Sequence, residues 1–224
     1  MTKGTASFVQ VVSPLDRLLS QALLSIIKEK LGGKTCEKIE SRLQQRYGLT
    51  LAESMRQFYT LDATFREFFG AGAGALEADF LERIISFARP QGSMADDSSD
   101  RWIKVEHSRL IEIILSSYGD NEKRKILDAV IGQPSTVSKI LDACMIPKSS
   151  GYRIINEMLN DGLLFEENIS KTSDGKRVSN YGALFQRVKI DIESKSSADL
   201  QVLVKESSVL SSHILRILGR TCIQ

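Results

Sequence analysis

Through residues 15–87 apolar side chains recur at three- and four-residue intervals, the pattern of helices that each bury one stripe. Leu15, Leu18, Leu19, Ala22, Leu23, Ile26 and Ile27 share a face over 15–31, and Gly32 and Gly33 follow as a stop. A second helix is predicted over 34–47, with Ile39 and Leu43 inward and Gly48 at its end. Thr50 stands three residues before Glu53, a capping-box spacing that starts a third helix over 50–59. The apolar run 65–69 leads into Gly70-Ala71-Gly72-Ala73-Gly74, and Leu76, Phe80, Leu81, Ile84 and Ile85 predict a fifth helix over 76–87. Nothing here alternates with a period of two, so 15–88 reads as an all-helical domain expected to fold independently.

The pattern lapses over 89–101, where Pro90, Gly92, Ser93, Ser98, Ser99, Asp96, Asp97 and Asp100 make a linker composition. It resumes over 102–196, with helices expected at 110–119 and 121–131, the latter turning Ile126, Leu127, Val130 and Ile131 inward. Two short helices then meet at a turn. Val137, Ile140 and Leu141 form the stripe of the first, with Ser135 as its expected N-cap. Pro147 forces a break near 145–148, and Ser149 is the expected cap of the second. On that second helix Ile154 or Ile155, with Met158 and Leu159, is expected to face inward, and Ser150, Tyr152, Arg153 and Asn156 to face out.

After Asp161-Gly162 a strand is expected over 163–169, a hairpin tip at Ser173-Asp174-Gly175-Lys176, and a return strand over 184–192. A last helix over 197–219 would carry Leu203, Leu210, Ile214 and Ile217, either as a seam between two copies or as packing on its own domain. The expected fold class is therefore mainly α: an N-terminal all-helical domain, then a winged helix-turn-helix domain with a β-hairpin wing and a C-terminal helix.

A short helix with a polar outer face suits the DNA major groove, where Arg153 can pair with guanine and Asn156 with adenine. Lys148, Ser149, Ser150 and Tyr152 complete that face, with Ser149 and the helix N-terminus placed to hold a phosphate. Lys171, Lys176 and Arg177 around the hairpin tip, with Arg187 and Lys189 on its flank, can neutralise neighbouring phosphates. The chain's net charge is only +2, and residues 145–189 hold seven Lys and Arg against five acids, a surplus of two. Binding must rest on a local patch, and a homodimer would double it.

The run Ile146-Pro-Lys-Ser-Ser-Gly-Tyr-Arg-Ile-Ile-Asn-Glu-Met-Leu-Asn-Asp-Gly-Leu-Leu164 resembles the turn and recognition helix of ArsR-like and IclR-like winged-helix regulators. The resemblance covers about a third of the chain. It implies a cytoplasmic, sequence-specific regulator of transcription that binds double-stranded DNA through Ser149, Ser150, Tyr152, Arg153 and Asn156, with the wing on the backbone. Gly151 departs from the family, which has an apolar helix former there, and the paired cysteines of metal-sensing members are missing. Tyr47-Gly48-Leu49 and the stretch 68–77 resemble a small helical output domain of archaeal signalling regulators, which implies an archaeal factor and a protein partner for the N-terminal domain. A winged-helix adaptor that binds protein is the competing expectation.

Enzyme chemistry is not expected. His107 and His213 stand alone, and no phosphate-cradling, zinc-protease or nucleophile-elbow motif occurs. Cys36, Cys144 and Cys222 lie far apart without a CxxC, which argues against metal, cofactor or disulfide framework and leaves redox sensing at Cys222 as a minor alternative. Asp16, Arg17, Gln21, Lys28 and Glu29 interrupt 15–31 too often for a bilayer span, and no secretion signal precedes it.

Overall fold

Helix α1 (Pro14–Tyr47) is the longest element of the computed structural model, which describes residues 13–87, 101–171, 174–192 and 198–216. The helix is broken at Gly32, whose φ of 71° and ψ of 163° lie outside helical values, so the expected stop is a kink between two helical halves. The Thr50–Glu53 capping box is formed as expected and opens α2 (Leu51–Ser54). After a 3-10 turn come α3 (Phe58–Phe69) and, past the Gly/Ala stretch, α4 (Ala73–Glu82). Phe65 packs edge-on against Phe69 and Phe80, tying α3 to α4.

The fifth expected helix stops early, because Ile85–Phe87 is a strand, β1. It pairs antiparallel with β2 (Arg101–Val105), and Ile85 lies opposite Val105. Helices α5 (Ser108–Gly119) and α6 (Asn121–Val130) follow, with the His107 ring accepting the Arg109 N–H and Asp120 capping Glu122 and Lys123. Next come α7 (Val137–Cys144) and α8 (Lys148–Asp161), separated by Met145 in the left-handed region and by Pro147.

The hairpin is β3 (Leu164–Lys171) with β4 (Arg177–Ala183), in a register that sets Lys171 opposite Arg177. The expected return strand is thus corrected: 185–192 is β5 (Phe185–Ile192), which leaves the hairpin for another sheet. Val178-Ser-Asn-Tyr-Gly carries little apolar alternation because, of its side chains, the Tyr181 ring is the one that packs against the core. The expected C-terminal helix over 197–219 is also corrected. Its first part is a strand, β6 (Ala198–Val204), which alternates Leu200, Val202 and Val204 inward; a short helix, α9 (Glu206–Ser211), follows, and 213–216 are helical again after a break at Ser212. The four-residue pattern had Leu203 and Leu210 on one seam, yet Leu203 is buried in the sheet and Leu210 is exposed.

The larger sheet is antiparallel in the order β1-β2-β6-β5. Ile85, Ile103, Val105, Leu200, Val202 and Val204 line its buried face, while Ser86, Lys104 and Gln201 face outward. The buried side chains of α1 to α4 merge with those of this sheet and of α5 to α8 into one hydrophobic cluster. The chain is mainly α, with a small antiparallel sheet. Among the described residues no helix is long and apolar enough to cross a membrane. The expected linker over 89–101 lies outside the described residues except for Arg101, which opens β2, and the tip residue Ser173, Ile217 and Cys222 lie outside them too.

Candidate nucleic-acid interface

Helix α8 is held by three contacts. Gly151 lies against α7, where a Cβ would stand 2.4 Å from Leu141 Cδ2, so a hydrogen at that position is what lets the two helices cross so closely. Ile154, Ile155 and Met158 are buried against the core. At the far end Gly162 adopts a left-handed φ of 79° and returns N–H bonds to Leu159 and Met158. The opposite face, with Tyr152, Arg153 and Asn156, is exposed.

The helix begins at Lys148 with Pro147 as its cap residue and no side-chain cap bond, so Ser149 is not the cap. Proline before the first turn already fixes φ there and needs no capping partner of its own. Ser149 is exposed, and Ser150 is half-buried with its hydroxyl donating to the Pro147 carbonyl at 3.2 Å. The cap of α7 is Thr136, whose hydroxyl accepts the Lys139 N–H, and the expected cap Ser135 is used otherwise. Ser135 exchanges main-chain hydrogen bonds with Tyr181 at 3.0 and 2.8 Å, adding a third strand-like segment to the base of the hairpin.

The Ser135–Tyr181 bridge closes a cleft between the start of α7, Tyr152 of α8 and the hairpin. It is lined by Thr136, Ser138, Lys139, Tyr152, Lys171 and Asn180 among others. Asn180 is oriented by its amide, which donates to Asn168 Oδ1 at 2.8 Å and Ser170 Oγ at 2.9 Å across the strands. The cleft therefore offers hydroxyls, two ammonium groups and the first N–H groups of α7, a donor set suited to phosphate oxygens, while both hydrogens of the Asn180 amide are held within the hairpin. Thr136, Lys139 and Asn180 were not among the expected site residues. A Thr-x-x-Lys spacing at a helix start was the available signal for the first two, whereas Asn180 depends on the hairpin register, which sequence did not reveal.

Of the expected contacts, Lys148, Tyr152, Arg153 and Asn156 lie along α8, and Lys171, Lys176 and Arg177 sit at the exposed end of the hairpin. Lys176 lies 3.3 Å from Asp174. Arg187 and Lys189 are elsewhere, on β5, and this corrects their assignment to the hairpin flank. Arg153 Nη1 is 3.6 Å from Glu157, which also pairs with Lys123 of α6, so the guanidinium is steered toward its own helix. Glu166 and Glu167 bring negative charge to β3, the latter paired with Lys205 at 2.9 Å.

Cys36 and Cys144 are buried free thiols, and burial pushes the pKa of both up, which disfavours the thiolate. Among the described residues no three His, Cys, Asp or Glu side chains are placed to hold a metal. No family model, curated protein or solved structure matches the chain.

Proposed function

We propose that the chain is a sequence-specific transcription regulator that binds duplex DNA as a winged helix-turn-helix module, with α8 in the major groove and the β3–β4 hairpin on the phosphate backbone. The observation that carries this reading is the placement of the polar face of α8 beside a donor-lined cleft shared with the start of α7 and the hairpin. Arg153 and Asn156 stand where base edges would lie, and Lys139, Lys171 and the helix start stand where the flanking strand's phosphates would lie. The small charge surplus makes one copy a weak binder, so the regulator acts as a homodimer on two half-sites. The helices α1 to α4 receive the partner or signal.

Equilibrium binding to duplexes at graded salt tests this. Lys139→Ala and Lys171→Ala should weaken binding to all sequences and flatten the salt dependence by about one unit each, whereas Asn156→Ala should cost roughly 1–3 kcal/mol on the cognate sequence alone. Absence of duplex binding at low salt sinks the proposal. A protein-binding adaptor is the second reading, favoured by Ile169, an apolar side chain 59% exposed on the hairpin. It predicts a stoichiometric protein complex that is indifferent to changes at Asn156.

A further inference from the structure

Among the described residues strand β5 pairs with β6 alone and forms an edge of the larger sheet. The opposite edge, β1, has three residues, whereas β5 has eight and offers a row of main-chain donors and acceptors long enough to template another strand. Ile190 sits opposite Leu200 on the core side of the sheet, yet it is 37% exposed. The charges on the other face are ordered: Arg187 and Lys189 precede Ile190, Asp191 follows it, and the sequence carries the acidic sign on to Glu193. Lys189 lies 3.1 Å from Asp191, so both project on one face.

Directly opposed residues of an antiparallel pair share a face, so a two-fold axis between two copies of β5 must fall on a residue. On Val188 it sets Arg187 against Lys189 of the second copy, twice, and on Lys189 it sets Arg187 against Asp191 but brings the two lysines face to face at the axis. On Ile190 it sets Lys189 against Asp191 of the second copy, twice, and Ile190 against itself. Of the three, only the last register opposes unlike charges without also opposing like ones, and it sets the exposed isoleucine against its own copy.

We propose that β5 is the homodimer edge, with two copies pairing antiparallel about Ile190 so that their sheets become one. The proposal takes from the functional reading only that two copies act together. It is tested without DNA, so failure of either leaves the other standing.

In full-length protein carrying Cys222→Ser, Ile190→Cys is treated with oxidised glutathione, and Ser86→Cys on the β1 edge is the control. A disulfide-linked dimer should accumulate for position 190 and not for position 86. Equal trapping at both, or none at 190, overturns the proposal. Sedimentation of uncrosslinked protein gives the second readout. Asp191→Lys should loosen the dimer at least about tenfold by opposing lysines, and Lys189→Asp combined with Asp191→Lys should return it to within about threefold. A double variant no tighter than the single one contradicts the register.

Discussion

The guanidinium of Arg17 donates from Nη1 to the main-chain carbonyl of Leu159 at 2.8 Å, so the first turn of α1 caps the last turn of α8. Gln21 adds a longer bond from Nε2 to the Asn160 carbonyl at 3.4 Å. The final carbonyls of a helix lack partners within it and carry its negative dipole end, which makes a cation there favourable. Through this contact the helical N-terminal segment sets the position of the proposed reading helix.

Removing that cap by Arg17→Ala should lower stability by about 1–2 kcal/mol, the value of a charge-assisted hydrogen bond at a half-buried helix end. Denaturant unfolding measures it. Arg17→Lys should recover part of the loss, since the charge returns without the planar fork. An unchanged unfolding midpoint for Arg17→Ala would show the contact to be idle.

A stronger effect is expected at Gly162, against which α1 packs. A Cβ there would lie 2.7 Å from the Pro14 carbonyl oxygen and 2.8 Å from the Leu18 nitrogen, both main chain, and the residue has positive φ. Gly162→Ala should cost about 3 kcal/mol, combining left-handed strain with overpacking. Gly151→Ala should cost less, about 1 kcal/mol, because it meets only the Leu141 side chain and gains helix propensity. Reversal of that order in melting experiments would contradict the packing described.

The helical half was legible because its stripes of Leu and Ile obey one period and its breaks are marked by glycine, as at Gly32 and Gly48. The turn at Pro147 and the polar face of α8 were legible for the same reason. Sequence misassigned segments whose partners are distant. Ile85–Phe87 continues a helical stripe, yet pairs with β2 across the intervening 88–100. Leu203, Leu210 and Ile214 mimic helical spacing, yet 198–204 fills the gap between β2 and β5. In the hairpin the polar β4 offered no alternation, so the stronger alternation of β5 was read in its place. The cleft residues Lys139 and Asn180 come together only through that hairpin register.

Glu77 gives a pH signature. It is fully buried on α4, and neither carboxyl oxygen has a hydrogen-bond partner in the described structure. Burial, and then the negative charge of Asp62, pushes its pKa up to about 8, against partial relief from Arg66. The folded state therefore holds a proton that the unfolded chain releases above about 4.3. Stability should fall as pH rises between that value and about 8, by up to about 1.4 kcal/mol per unit, and level off above. Glu77→Gln should remove this slope. A Gln variant with the wild-type pH profile would contradict the assignment.

Glu157 restrains Arg153 and Lys123 on the α6–α8 surface. Glu157→Gln should release both cations, raise duplex affinity about three- to tenfold at low salt, and steepen the salt dependence. Competition binding at two salt concentrations measures this. Weaker binding by the variant would mean that Glu157 itself contacts the target.

Selection of bound sequences from a random duplex library tests the central claim most directly. The account predicts enrichment of an inverted repeat whose half-sites are about one helical turn apart, lost when Arg153 and Asn156 are both replaced by alanine. Recovery of a library with no enriched sequence at low salt would contradict it.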